Sequence, residues 1–262
     1  MQIVTWNVNS IRSRLELVLK WLDTHEPEVV LLQETKCEDG VFPREFFEDR
    51  GYTVATYGQK TYNGVAILSK YAIEDVTTGF PNFKDDPQCR YIEGIVNGRV
   101  RVASIYVPNG SEKGSPKFEY KMTFLEKMRE YLPERIFADE AFIVGGDFNI
   151  APTPQDVNNQ DRWEGDVMCT TMEREHFQQL LNAGFVDVIR KLYPYDKADA
   201  PSLMTWWDYR KGSWHKDDGL RIDHLLISKN NAGIVLEGGI YRDTRGLEKP
   251  SDHAPVWCKV RP

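Results

Sequence analysis

The sequence predicts an α/β fold, β-sheet covered by helices, on three observations. The chain opens strand–helix–strand, and the second strand, Glu28-Val29-Val30-Leu31-Leu32-Gln33-Glu34, has the continuous apolar run of a sheet covered on both faces. From Tyr52 onward strand candidates follow one another, two of them flanking Asn97-Gly98, the strongest short-range hairpin signal. Further on, Ala141-Phe142-Ile143-Val144 is an uncharged apolar run ending at the pair Gly145-Gly146. No composition shift, low-complexity tract or fixed-period repeat interrupts the 262 residues, so one domain over 1–262 is expected.

Taken in order, residues 2–7 read as a first strand ending in Trp6-Asn7-Val8-Asn9. Leu15, Val18, Leu19 and Leu22 recur at helical spacing and place a helix over 11–25, which Glu26-Pro27 stops. Strands are expected over 53–57, 63–68, 92–96 and 99–107. Ser115-Pro116 opens a helix with proline at a tolerated first position, and Phe118, Met122, Leu125 and Leu132 form its buried stripe. The next strand runs into Asp147-Phe148-Asn149-Ile150-Ala151-Pro152. Extended backbone there would aim Asp147 and Asn149 the same way and Phe148 into the core. Residues 155–168 are polar and irregular. Thr170-Thr171-Met172-Glu173 has capping-box spacing, and the helix it starts carries Phe177, Leu180 and Leu181 before Gly184. An aromatic stretch, Trp206-Trp207-Asp208-Tyr209, precedes a strand over 220–228, and a last strand follows Asp252-His253.

Composition narrows the function. The chain is 41% hydrophobic and 28% charged, ordinary for a water-soluble fold, and no apolar run approaches the ~20 residues that cross a bilayer. The N-terminus lacks the basic start and apolar core of a secretory signal, so a cytoplasmic location and no membrane contact are expected. Cys37, Cys89, Cys169 and Cys258 lie far apart with no CxxC pair, which predicts reduced thiols and no zinc site. A net charge of -7 argues against nonspecific coating of nucleic acid. It leaves room for an enzyme with one locally basic face, or one whose carboxylates a divalent cation neutralises.

The chemically capable side chains gather at strand ends. Asn7, Glu34, Tyr106, Asn109, Asp147 and Asn149 fall at or just past the ends of expected strands, while Asp223 and Asp252-His253 fall at beginnings. Neighbouring antiparallel strands bring such positions to one rim, where ligand sites commonly form. Each residue also has a plain structural alternative. Asp147 and Asn149 could cap backbone N–H groups in a turn, Asn7 could be a turn former, and Glu34 a surface carboxylate. Strand ends are polar in any protein, which discounts the coincidence.

Seven motifs carry a resemblance. Trp6-Asn7-Val8-Asn9, Leu32-Gln33-Glu34-Thr35-Lys36, Asn63-Gly64-Val65-Ala66, Tyr106-Val107-Pro108-Asn109-Gly110, Gly146-Asp147-Phe148-Asn149-Ile150-Ala151-Pro152, Leu220-Arg221-Ile222-Asp223 and Pro250-Ser251-Asp252-His253-Ala254-Pro255 resemble, in order, the exonuclease III family of AP endonucleases. The resemblance implies a four-layer α/β/β/α sandwich of two facing mixed sheets, DNase I-like (α+β in some schemes). It implies a Mg²⁺-dependent DNA repair phosphodiesterase, with Mn²⁺ as a substitute, acting as a monomer on double-stranded DNA. The substrate would be an abasic site, incised on its 5′ side to leave a 3′-hydroxyl, or a damaged 3′ end. The alternative within the family is mainly a 3′→5′ exonuclease.

By the same resemblance the metal falls to Glu34, with Asp252, Asn7, Asp147 and Asn149 close by. Asp147 would activate the attacking water, its pKa raised among anions. Asn149 and Asn109 would bind phosphate oxygens, His253 would hold the phosphate as the imidazolium with Asp223 on its other nitrogen, and Tyr106 would assist the phosphate or leaving group. Trp206, Leu220 and Ile222 would line a pocket for a base-free sugar, and Trp207 is read as core. Arg210, Lys211, Arg221 and Lys36 are expected to contact DNA phosphates. Asp187 is read as support rather than chemistry. The loop 161–170, with Trp163 and Met168 expected to be exposed, would choose between the two activities. Outside the family, a binding module with a decayed site would lack some of these groups, and a metal-free carboxylate pair would leave His253 and the asparagines idle.

Overall fold

A computed structural model describes residues 1–137, 140–197 and 201–261. The elements run β1 (Gln2–Asn7), α1 (Leu15–His25), β2 (Val29–Gln33), α2 (Arg44–Glu48), β3 (Thr53–Tyr57), β4 (Val65–Ser69), β5 (Ile73–Thr78), β6 (Tyr91–Val96), β7 (Val100–Tyr106), α3 (Pro116–Glu134), β8 (Ala141–Asp147), α4 (Gln160–Trp163), α5 (Thr171–Asn182), β9 (Phe185–Asp187), α6 (Val188–Leu192), β10 (Asp223–Ser228), β11 (Val235–Ile240) and β12 (Val256–Val260). They form two six-stranded sheets, ordered β11-β12-β1-β2-β4-β3 and β5-β6-β7-β8-β10-β9. β1–β2 and β7–β8 pair in parallel and the other neighbours antiparallel, so both sheets are mixed.

The strands alternate side chains between two apolar layers, which is why their sequences show so little polar alternation. Ile3, Leu31, Ile67, Val102, Ile143, Leu225 and Val256 fill the space between the sheets. Their neighbours Val4, Val30, Leu32 and Leu68 pack outward with Trp21 and Leu22 of α1. On the other side Ile105, Phe142, Val144 and Leu226 pack with Phe124, Leu125, Phe177 and Leu180 of α3 and α5. Helix, sheet, sheet, helix is the expected four-layer sandwich. A buried polar ladder stitches the sheets together: Gln33 Nε2 donates to Ser104 Oγ at 2.9 Å, and Ser104 Oγ donates to the Leu32 carbonyl at 2.8 Å. Beside it a Cβ on Gly145 would come within 2.7 Å of Leu31 Cδ1 and 2.8 Å of Leu225 Cδ2, so only glycine lets the sheets approach there.

The hairpin at Asn97-Gly98 and the helix from Ser115 lie where expected, and Ser115 caps α3 by accepting from Phe118 N at 3.2 Å. The capping box is present at Thr170 and Glu173. The first helix begins later than its periodicity suggests, at Leu15, because Asn9 and Ser10 hold left-handed backbone (φ 45° and 86°) and turn the chain first. Three strands carried no legible signal. β5 is polar and mostly exposed at the edge of its sheet, β9 is only three residues long, and β11 has two glycines. All four cysteines are free and buried. Among the described residues no helix is long and apolar enough to cross a membrane.

Candidate active site

Strand pairing builds one rim from both sheets. Parallel β7–β8 pairing sets Tyr106 beside Asp147, and antiparallel β8–β10 pairing sets Asp223 on its other side. In the first sheet Asn7 pairs with Gln33, which leaves Glu34 just beyond the strand end. The Asn7 carboxamide joins the two halves: Nδ2 donates to Glu34 Oε1 and to Asp147 Oδ2, each at 2.9 Å. His253, ahead of β12, has Nε2 3.7 Å from Asp147 Oδ2, and its Nδ1 donates to Asp223 Oδ2 at 2.9 Å.

Asp147 and Asn149 do meet, but not along an extended strand. β8 ends at Asp147, and Asn149 adopts φ 49°, a left-handed conformation that asparagine tolerates better than most residues. Its backbone N–H donates to Asp147 Oδ1 at 2.8 Å, an Asx turn. Capping therefore occupies Oδ1 and leaves Oδ2 turned toward Asn7 and His253. Phe148 is buried, as the alternation required. The same device recurs at β1, where Asn9 N donates to Asn7 Oδ1 at 3.0 Å.

Burial and charge oppose one another across this cluster. Burial is the main force raising the Asp147 pKa, to about 7, with Asp223 and Glu34 adding to it and His253 opposing. For His253 burial disfavours the charged ring, but Asp223 and then Asp147 outweigh it and push the pKa up to about 10. The imidazolium is thus the resting form at neutral pH. Burial would raise the Glu34 pKa, yet Lys36, the Asn7 hydrogen bond and His253 together hold it below the usual range. Tyr106 is raised well above an ordinary phenol by burial and by Glu34 and Asp147, so it stays a donor.

Ligand atoms of Glu34, Asp147 and His253 lie within 4.8 Å of one another. With Glu34 anionic and the His253 ring protonated, the donors offered to a cation are carboxylate oxygens, which suits a hard divalent ion. The other expected ligands sit differently. Asp252 lies outside this group, its Oδ1 accepting from Asn9 Nδ2 and its Oδ2 from Trp206 Nε1, both at 3.0 Å. Asn7 turns its amide nitrogen to the carboxylates. Asn149 donates to the Val107 carbonyl at 2.9 Å and to Asp147 Oδ2 at 3.3 Å, and it accepts from Asn109 Nδ2 at 3.0 Å, so Asn109 reaches Asp147 only through Asn149.

Residues 4–253 match the Endonuclease/Exonuclease/phosphatase family. The chain belongs to this family. It is 34% identical over 271 residues to the exodeoxyribonuclease III of Haemophilus influenzae, covering 100% of both chains. Among solved structures it superposes on a 3′ phosphatase from Neisseria bound to a product DNA hairpin with a TM-score of 0.94 at 38% identity, covering 100% of this chain and 99% of that one. An AP endonuclease from Archaeoglobus fulgidus gives a TM-score of 0.92 at 36% identity, covering 100% of both.

In this family member the expected pocket and DNA-contact residues divide. Trp206 is partly exposed and bridges to both Leu220 and His253 in the backbone, so its indole stands at the rim. Leu220 and Ile222 do not line open surface. They are fully buried beneath Trp206, packed with Ala151, Val157 and Met168. Trp163 and Met168 are buried too, contrary to expectation: Trp163 meets Trp206 edge-on with centroids 5.8 Å apart, and Asn109 Nδ2 lies 3.6 Å from Met168 Sδ. An apolar cluster under the loop 161–170 gives both a place to go. Trp207 is core, as expected.

Arg221 corrects a second expectation. It is 1% exposed and cannot reach DNA, because Asp156 and Asp187 each accept from its guanidinium at 2.7 Å. Its position in a basic-looking stretch suggested a surface; its two carboxylate partners lie 65 and 34 residues away. Asp187 is accordingly structural support. Arg210 and Lys211 are exposed on the loop after Trp207, whereas Lys36 turns inward to Glu34 and Asn9 Oδ1, each at 2.6 Å. Sequence reasoning missed Asn9 as the partner of Asp252. It also missed Lys121, whose signal was a charge at a stripe position of α3, between Phe118 and Leu125.

Proposed function

We propose that this chain is a metal-dependent DNA repair phosphodiesterase that incises the backbone 5′ to abasic sites and leaves a 3′-hydroxyl. The observation that carries the reading is the meeting of Glu34, Asp147 and His253 within 4.8 Å, the two carboxylates joined through Asn7. That the chain is a nuclease follows from its family and from the exodeoxyribonuclease and AP endonuclease relatives that align along its whole length. Support for DNA as substrate comes from the neighbour that binds a DNA hairpin. Residues 1–262 are taken as one domain acting as a monomer, since both sheets contribute to a single rim.

In this mechanism Asp147, uncharged only below about neutral pH, orients the attacking water and takes its proton. The His253 imidazolium, held by Asp223, holds a non-bridging oxygen of the phosphate. Asn149 and Asn109 present amide N–H groups to the same phosphoryl group, and Tyr106 donates toward the phosphate or leaving oxygen. Glu34 would hold Mg²⁺, or Mn²⁺ in its place, with Asp147 near it and water completing the shell. When bound, the cation supplies charge for the phosphoryl oxygens and the departing alkoxide. Trp206 is assigned to the base-free sugar, with Leu220 and Ile222 buried behind it as packing support rather than as lining, and Arg210 and Lys211 to DNA phosphates.

A second reading, mainly 3′→5′ exonuclease or 3′-end trimming, is favoured by one observation: Trp163 and Met168 pack inward against Trp206 and Asn109 instead of standing exposed where they could wedge a continuous duplex. Kinetics on an abasic duplex beside a recessed 3′ end separate the two. Asp147→Asn should lower kcat on either substrate by at least about 10²-fold and leave the DNA Kd within a few-fold. Wild-type turnover in that variant would mean the water is activated elsewhere.

A further inference from the structure

Lys121 and Glu173 are both 0% exposed and form an ion pair between α3 and α5. A buried pair of this kind is weak evidence for stability, because desolvation cancels much of the attraction. What the pair touches gives it a different role. All three ammonium hydrogens are used: one on Glu173 Oε1, one on the Asn149 carbonyl at 2.8 Å and one on the Asn109 carbonyl at 3.1 Å. Glu173 also accepts from Met168 N at 2.9 Å, from Thr170 N at 3.0 Å and from the Thr170 hydroxyl at 2.6 Å. Three segments far apart in sequence, around 109, 149 and 168–170, end on one pair of charges.

Two of those segments carry the amides beside Asp147: Asn149 donates to its Oδ2 at 3.3 Å, and Asn109 donates to Asn149 Oδ1 at 3.0 Å. Asn149 holds φ 49° outside any helix or strand; the Asx turn to Asp147 and the Val107 carbonyl hold its N–H groups, and Lys121 holds its carbonyl. At Gly110, with φ 93°, a Cβ would meet Lys121 Cδ at 3.1 Å, so the loop carrying Asn109 closes directly onto the lysine stem. Burial pushes the Lys121 pKa down, and Glu173 opposes that shift.

We propose that the buried Lys121–Glu173 pair is a positioning device that sets the Asn149 and Asn109 carboxamides for the phosphoryl oxygens and ties the 168–170 segment to the same point. Neither residue touches substrate; both act through the backbone of the residues that do. The proposal rests on the phosphodiesterase reading of the site.

The test is the double substitution K121M/E173Q, which roughly conserves volume and keeps a glutamine able to complete the capping box at Thr170. On an abasic duplex kcat should fall about 10²-fold, as small misplacements of catalytic groups do, while KM and DNA Kd stay within about threefold. In a cycle with the double deletion Asn109→Ala/Asn149→Ala, adding K121M/E173Q should slow turnover by no more than about twofold further, because the pair acts through those two amides. A folded K121M/E173Q variant with wild-type kcat overturns the proposal, and so do losses that multiply with Asn109→Ala/Asn149→Ala. If K121M/E173Q does not fold, E173Q alone carries the criterion: a kcat loss of about tenfold with KM kept supports the role, and an unchanged kcat refutes it. Asp147→Asn in the same assay separates the two readings. Turnover retained there removes the site reading and this proposal together, whereas an inactive Asp147→Asn beside a fully active double variant removes only the pair's role.

Discussion

Asp223→Asn is the most informative single change, because it removes one charge and leaves the shape. In the native protein Asp223 accepts from His253 Nδ1 at 2.9 and 3.1 Å, and it is the main partner holding the ring's pKa up to about 10. With charge centres roughly 4 Å apart and an effective dielectric constant of ~20, the attraction is about 4 kcal/mol. At 1.36 kcal/mol per pKa step, its loss brings His253 from about 10 to about 7. At pH 8.5 the native ring is then almost wholly charged, and the variant ring is charged in only about one molecule in thirty. The alkaline limb of kcat should move down by about three pH steps, and the carbon-bound ring proton of His253 should titrate near pH 7 in NMR spectra. The stability consequence has a definite sign. A pKa raised on folding stabilises fully below about 6.5, and that contribution is lost as pH rises through the folded value, so the variant should lose its share at lower pH than the native protein. A His253 that still titrates near 10 in Asp223→Asn would refute the assignment of this carboxylate as the source of the charge.

Glu34→Gln should raise the Mg²⁺ concentration needed for half-maximal activity at least tenfold, by about 1.4 kcal/mol or more in binding. EDTA should abolish native activity, with Mg²⁺ or Mn²⁺ restoring it; an unchanged metal requirement in Glu34→Gln would remove the ligand from its place. His224 tests the buried network beside the site. Its Nε2 lies 2.9 Å from the Ile150 carbonyl and its Nδ1 3.0 Å from Arg221, and burial followed by the Arg221 charge lowers its pKa to about 4. Neutral in the folded state and charged when unfolded, it should cost stability as pH falls from about 6.5 to about 4, by about 3 kcal/mol. Denaturant unfolding of His224→Gln should lack that part of the acid slope, and an identical slope in the two proteins would show that other groups carry it.

Much of this protein was legible in its residues because their local chemistry is unambiguous. Continuous apolar runs at 29–32 and 141–144 required strands covered on both faces, Asn97-Gly98 required a hairpin, and Thr170 with Glu173 required a helix start. The motif order also marked Asn7, Glu34, Asp147, Asn149, Asp223 and His253 as belonging together. Where a polar residue faces in the folded chain is a long-range matter, and there the sequence was silent or misleading. Arg221 reads as a surface cation until Asp156 and Asp187 arrive from elsewhere to bury it, and Leu220 is core rather than pocket lining because Ala151, Val157 and Met168 pack around it. Lys121 looked like an interruption in an apolar stripe. Only the packing of α3 against the loops at 109 and 149 and against Glu173 of α5 gives its charge three acceptors. Periodicity and turn chemistry act over a few residues, so the chain states them directly; burial of a charge is decided by partners tens of residues away, and only the assembled sheets and helices supply those.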